Sequence, residues 1–384
     1  MWEQIFICKN EKGKEEEGEK EERKEENIIS RESPPEYTGE NKKSLKLYRE
    51  FKKEEYEEIF EFNKTHNKLS SGNVTFLTPA QLSKFSTLGM YSVLARGGAK
   101  DAIIGTILSL PLPINCGAGA AANVFVFGVT SYLTVHEKLR DKNIAMALIR
   151  ELSILGHQNS IYCSYFTSPK KIGENSIELT SWFRPLNLPK TISLGFLYPN
   201  WNHIPSFKEN MAKYACKAVK NYKTARLTEN SEKCVSAFNF YIENIKGKKF
   251  AFSPDIALFK KWVKAFPTFI ISFSQSIVGV FSYMSVQSKM ATGLEGLLCL
   301  PLIFVSSQDE KHKHKDNCMK TLIHTAHEEQ FDVLYGYVVG EFTFSGLLEN
   351  TKCITQPQSS IPTYFSVYNH TISLTPEDLY VPIF

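Results

Sequence analysis

The chain has 384 residues, 42% of them hydrophobic, and a formal net charge of +4. That length supports two units with cores of their own. The mild charge argues against a nucleic-acid binder, which needs basic residues gathered in a patch or stripe. The balance is uneven: residues 10–27 hold nine Glu and five Lys or Arg, a local −4, so the remainder carries about +8, spread widely. A mildly basic body suits an acidic small ligand.

Residues 1–43 read as a disordered charged tail, because fourteen of the eighteen residues 10–27 are charged and Pro34-Pro35 follows. The apolar run before it is too short for a signal sequence. Eight Cys are scattered without a C-x-x-C pair, which points to a reducing, cytoplasmic setting with free thiols. Residues 45–62 predict an amphipathic helix, with apolar positions at 45, 48, 51, 56, 59 and 60. Thr78-Pro79-Ala80-Gln81 is a capping box with Pro at the first helical position. Residues 91–95 and 102–108 flank a Gly-Gly turn and predict a hairpin. Residues 111–122 read as a Gly/Ala-rich loop. A β-branched strand then runs from Val124 to Val135 and enters, through a basic turn, a helix with apolar positions Ile144, Leu148, Leu152 and Leu155, ended by Gly156 as its cap. Residues 161–167 predict a strand.

From about residue 216 the order repeats. One helix centres on Cys234, Tyr241 and Ile245, and another starts at Ser253-Pro254-Asp255 and contains Trp262. A hairpin follows over 269–283, then a strand at 297–305, a helix at 318–328 and a strand at 331–339. An α+β or mixed-sheet pattern given twice is the reading. The uncharged stretches 102–134 and 265–288 are long enough to span a bilayer, but Pro111, Pro113 and Asn115 in the first and Gln275 with its flanking Ser in the second favour buried strand pairs.

Few constellations carry chemistry. His324, His327 and Glu328 could share a helix face, but the order His-x-x-His-Glu fits no zinc motif, and no metal is expected. Residues 117–122 loosely resemble a dinucleotide fingerprint, yet precede a strand instead of following one. The segment 132–151 is different. A strand feeding a helix through a short basic turn leaves the first helical N–H groups and the positive end of the dipole open to a phosphate. The end of the strand can aim N–H groups at a carbonyl oxygen, which is what stabilising a thioester oxyanion requires.

Tyr132-Leu133-Thr134-Val135-His136-Glu137-Lys138-Leu139-Arg140-Asp141-Lys142-Asn143-Ile144-Ala145, with Leu148-Ile149-Arg150-Glu151, resembles the acyl-CoA segment of the N-myristoyltransferase (glycylpeptide N-tetradecanoyltransferase) family. Trp182-Phe183-Arg184-Pro185-Leu186-Asn187 is similar to a second family motif, Trp-His-Arg-Ser-Leu-Asn, and the looser likeness extends over about residues 73–384. The resemblance implies an α+β fold of two GNAT-like (acyl-CoA N-acyltransferase) halves related by a pseudo-twofold, with mixed sheets flanked by helices. It divides the chain into the tail 1–43, an acyl-CoA-binding half 44–215 and a half shaping the peptide groove, 216–384. It implies transfer of a myristoyl group from acyl-CoA, a co-substrate and not a resident cofactor, to the N-terminal glycine of a protein, by direct attack on the thioester. By the same resemblance the N–H groups of Tyr132 and Leu133 form the oxyanion hole. The amides of Arg140, Asp141, Lys142, Asn143, Ile144 and Ala145 cradle the coenzyme A phosphates, the carboxylate of Phe384 takes the proton of the substrate amine, and Asn187 helps place that amine. The expected partners are glycine-start proteins or peptides and acyl-CoA, with no nucleic acid and no transmembrane span, the protein acting as a monomer. Asp141 and Asn143 stand where the family has Ser and a basic residue. The alternative is therefore a catalytically inactive acyl-CoA- or peptide-binding paralogue, and a third reading is a membrane protein.

Overall fold

The computed structural model describes residues 45–67, 74–98, 100–117, 123–173, 176–197, 207–289, 293–307, 314–343, 346–355 and 362–384. In chain order it gives β1 (Lys46–Arg49), α1 (Tyr56–His66), β2 (Val74–Phe76), α2 (Pro79–Thr87), β3 (Tyr91–Gly97), β4 (Ala102–Cys116), β5 (Asn123–Val135), α3 (Ile144–Gln158), β6 (Cys163–Ser168), β7 (Ile177–Leu179), β8 (Ser181–Pro185), α4 (Leu188–Ser193) and α5 (Phe207–Lys213). The order then repeats as β9 (Tyr222–Arg226), α6 (Glu232–Ile245), β10 (Phe250–Phe252), α7 (Ile256–Ala265), β11 (Thr268–Phe273), β12 (Ser276–Lys289), β13 (Glu295–Ser306), α8 (His314–Glu328), β14 (Val333–Tyr337), α9 (Leu347–Asn350), β15 (Ile354–Thr355), β16 (Thr363–Tyr368) and β17 (Leu379–Tyr380).

Local chemistry starts these elements where the sequence places them. Thr78 accepts from the Gln81 N–H at 3.3 Å while the Gln81 side chain accepts from the Thr78 N–H at 2.6 Å, so α2 opens on a closed capping box. Asp255 accepts from the Leu258 N–H at 2.7 Å and caps α7. The apolar stripe Ile144, Leu148, Leu152 and Leu155 of α3 is buried against β3 and β4 around Val93, Ala95 and Ile107.

Two mixed sheets result, and each is completed by strands from the other half. The first, of nine strands, runs β1-β3-β4-β5-β6-β16-β7, with β10 on β4 and β17 on β10; the second, of eight, runs β15-β8-β14-β13-β12-β11-β9, with β2 on β12. Strand for strand, the two halves correspond from β1 and β9 through to β8 and β16. In each unit an antiparallel trio leads through a helix to a parallel strand, β6 beside β5 and β14 beside β13. The next strand then crosses to the other sheet: β8 joins β14, and β16 joins β6. This is the doubled, pseudo-twofold α+β architecture with GNAT-like halves. The sheets do not follow the cut at 215/216, because β2 and β8 precede it and sit in the second sheet, while β10, β16 and β17 follow it and sit in the first.

Three local expectations are corrected. The helix predicted over 45–62 begins only at Tyr56; its first part is β1, an edge strand paired with β3 from Lys46↔Arg96 to Arg49↔Val93. The loop predicted over 111–122 is strand as far as Cys116, where Pro111 and Pro113 are tolerated within the antiparallel pairing with β5. Gly156 does not end α3, which continues to Gln158; Gly156 instead lets Ile161 pass, whose carbonyl would stand 3.0 Å from a Cβ there. The charged tail 1–43 lies outside the described residues. The uncharged stretches are the strand pairs β4/β5 and β11/β12, and no described helix is long and apolar enough to cross a membrane.

Candidate active site

The segment singled out in the sequence is built on a break in two ladders. Along β4 and β5, Leu108 faces Ser131 and Thr106 faces Thr134, so Tyr132 and Leu133 together oppose the single residue Ile107. That is a β-bulge, and Tyr132 takes the left-handed region at φ 52 to make it. On its other side β5 pairs with β6 in parallel from Phe127↔Cys163 to Thr130↔Phe166 and no further. The pairing with β6 ends immediately before the bulge, so the bulged backbone has no ladder partner on that side.

The turn that follows is tied down locally. His136 donates its N–H to the Ile104 carbonyl at 3.0 Å, and its ring accepts from the Lys138 N–H at 3.3 Å. The imidazole lies 4.2 Å from that of His66, and Arg140 donates to the His66 carbonyl at 3.0 Å. Asp141 and Asn143 both adopt positive φ, 66 and 60, and residues 140–143 are exposed. Asn143 caps α3 in position but makes no side-chain bond to it. The opening N–H groups of α3 therefore point outward with no capping side chain, the condition for anion binding at a helix start. Gly105 on β4 lets this turn close, since a Cβ there would stand 2.8 Å from Leu148 Cδ1 and 3.1 Å from Ile144 Cγ2.

Tyr335 and Tyr337 of the second sheet pack against the same core as Tyr132. Burial raises the phenols of Tyr132, Tyr335 and Tyr337, yet each ring keeps partial exposure. Tyr335 lies beside Ser181 and Tyr337, and Tyr337 lies beside Thr363 and within electrostatic reach of Tyr132. The C-terminus approaches the same region. The Tyr165 hydroxyl donates to the Pro382 carbonyl at 3.0 Å, and Tyr165 pairs with Val129, just before the strands part. The Phe384 ring is half-buried and packs edge-on against Phe85 at 5.3 Å.

The expected residues thus divide. Tyr132, Leu133, Arg140, Asp141, Lys142, Asn143, Ile144 and Ala145 form one continuous strand–turn–helix, and the tail bearing Phe384 is held against β6 beside it. Asn187 is not brought there. It is exposed and caps α4, accepting from the Lys190 N–H at 3.3 Å, while its own N–H goes to the Asp332 carbonyl. It lies beyond the end of β8 that pairs with Val333, whereas Tyr337 faces Ser181 at the other end, at most about 20 Å away at strand spacing. Sequence reasoning missed Tyr165, Tyr335 and Tyr337, because an aromatic residue in a strand reads as core until its neighbours are known. The His324, His327 and Glu328 group does not converge with other ligands: among the described residues no three His, Cys, Asp or Glu side chains are grouped to hold a metal.

A bulged strand splayed from its parallel neighbour, given once in each half of a doubled sheet system, is the GNAT-like class of fold. Within that class, residues 45–176 match the sequence model of the myristoyl-CoA:protein N-myristoyltransferase N-terminal domain. The chain is similar in structure to Saccharomyces cerevisiae N-myristoyltransferase over about nine-tenths of its length. A form with bound myristoyl-CoA superposes with a TM-score of 0.71 at 14% identity, over 91% of this chain and 82% of that chain. A form with myristoyl-CoA and inhibitors gives 0.73 at 13%, over 92% and 88%. No curated protein matches the chain in sequence. The chain has the fold of N-myristoyltransferases and, over 45–176, the sequence pattern of their N-terminal domain.

Proposed function

We propose that the protein is an acyl-CoA-dependent N-acyltransferase that moves a myristoyl or similarly long acyl chain onto the N-terminal glycine of a protein. The observation that carries this reading is the bulge at Tyr132 and Leu133 opening directly into the uncapped start of α3. On this reading the N–H groups of Tyr132 and Leu133 receive the negative charge that develops on the thioester oxygen, and the strand fixes their direction before substrate arrives. The amides of residues 140–145 hold the coenzyme A phosphates, and Lys142 adds charge. An α-amine loses its proton near pH 7.7–8.0, so a modest base suffices, and the carboxylate of Phe384 takes that proton as the amine attacks. Nitrogen bonds to the acyl carbon, the carbon–sulfur bond breaks, and the second proton shed by the nitrogen passes to the sulfur, so that coenzyme A leaves as the thiol. Asn187, which the resemblance gives the task of placing the amine, caps α4. The protein works as a cytoplasmic monomer with acyl-CoA as co-substrate.

The second reading, a binding protein that no longer turns over, is favoured by one observation, the exposed Asp141 within the phosphate turn. Release of free thiol from myristoyl-CoA, with and without a glycine-start peptide, separates the two. Peptide-dependent release supports the enzyme. Saturable acyl-CoA binding without release supports the binding protein, and neither binding nor release removes both. Deleting Phe384 is expected to slow turnover by about a hundredfold, the usual scale for a general base.

A further inference from the structure

The pseudo-twofold gives β5 and β6 a counterpart in β13 and β14. The parallel pairing there covers Leu298↔Val333 and Cys299↔Leu334, and the strands then part. A bulge follows at the matching place, because Ser282 faces Ile303 and Tyr283 faces Pro301, leaving Leu302 over. The copy lacks the chemistry of the first. Pro301 has no N–H to donate. The opening turn of α8 is engaged as well: the His314 ring meets the Tyr222 hydroxyl at 2.8 Å and Lys315 pairs with the Glu341 carboxylate at 2.8 Å. Asn350 donates to Asp316 at 2.8 Å, which leaves a negative charge where an anion would have to sit.

The second splay opens into a cleft of about 570 Å³, counted out to its open mouth, and one of its walls is the C-terminal segment. Leu379, Val381 and Ile383 are nearly fully buried there. Three further contacts hold the segment. Strand β17 pairs in parallel with β10 at Phe250↔Leu379 and Ala251↔Tyr380. The Leu379 carbonyl lies 2.7 Å from where a Cβ on Gly340 would stand, and Gly340 has φ 51. The Tyr165 hydroxyl, on the other sheet, holds the Pro382 carbonyl.

We propose that the splay between β13 and β14 is a seat for residues 379–384, and that Gly340 and Tyr165 are positioning residues which use it to set the Phe384 carboxylate beside the Tyr132–Leu133 bulge. The proposal rests on the reading of that carboxylate as the base. A chain end is ordinarily free to fray, and a misplacement of about 1 Å can cost a hundredfold in rate. A base at a terminus therefore needs a dedicated seat, and the second half, unable to bind coenzyme A in the manner of the first, supplies one.

Gly340→Ala places a methyl against the Leu379 carbonyl at a φ that alanine disfavours. Turnover is expected to fall ten- to a hundredfold while the acyl-CoA Kd changes less than twofold. Amide hydrogen exchange over 379–384 should quicken, and added formate should restore part of the lost rate, which a general packing defect would not allow. Tyr165→Phe removes only the hydroxyl and covers the case in which Gly340→Ala fails to fold; it should show the same pattern with a three- to tenfold loss. Wild-type turnover and tail protection in both variants would overturn the proposal. If deleting Phe384 abolishes turnover while both variants behave as wild type, the seat alone falls. If deleting Phe384 leaves turnover intact, the base assignment falls, and the placement with it.

Discussion

Asp141 determines how much the turn can offer a phosphate. A unit charge about 7 Å from a like charge in water costs ~0.6 kcal/mol, a factor of about three, and salt screens it. That is too little to abolish binding, so the substitution of Asp for Ser leaves room for an active enzyme. Asp141→Ser should tighten acyl-CoA binding two- to threefold at low salt and leave it unchanged at about 0.5 M, where the Debye length is only a few ångströms; calorimetric titration at the two salt levels reads this. A second residue-scale effect belongs to His370. Its ring is 3% exposed between Phe125 and Phe127, accepts from the Ile372 N–H at 3.1 Å, and is pulled down to about 4 by burial away from water. The unfolded chain takes up this proton near pH 6.5 and the folded chain only near 4. The stabilisation is therefore complete above pH 6.5 and is lost as the pH falls from 6.5 to 4, by about 3 kcal/mol in all. Denaturant titrations at pH 7 and 4.5 should show that loss, and His370→Asn should flatten it.

At the scale of elements, the strand–turn–helix from β5 to α3 depends on how closely α3 lies on β4. Gly105→Ala would push its methyl into Leu148 and Ile144. Overpacking of this kind costs roughly 1–3 kcal/mol, and here it also lifts the first turn of α3 from the sheet. A lower Tm together with weaker acyl-CoA binding is expected; a lower Tm with unchanged binding would mean that the turn does not hold the phosphates. The same scale shows where sequence reading failed. Residues 45–62 carry helix-like apolar spacing, but Leu47 and Tyr48 are taken by β3 as Leu47↔Ala95 and Tyr48↔Leu94, and a strand partner outweighs a marginal periodicity. The α3 stripe was legible because its apolar positions keep helical spacing over the whole element and end in a packed face.

At the scale of the whole molecule, neither half owns a complete sheet. β6 has its outer partner in β16 and β14 has its partner in β8, so cutting the chain near 216 would strip an inner ladder from each sheet and expose unpaired backbone. We expect a single cooperative unfolding transition by calorimetry, and no independent folding of 45–197 or 207–384 expressed alone; two resolved transitions would contradict this. The sequence by itself determined the doubled order of elements, the strand and helix of residues 124–155 and the basic turn between them, because those depend on residue spacing and caps within a few turns of chain. Only the tertiary structure decided that Tyr132 and Leu133 bulge where β5 leaves β6, that Asn187 caps a helix, and that Leu379, Val381 and Ile383 line the cleft at the second splay. Those outcomes depend on pairings between segments distant in the chain, and no local pattern of residues carries the register of a strand that has not yet met its partner.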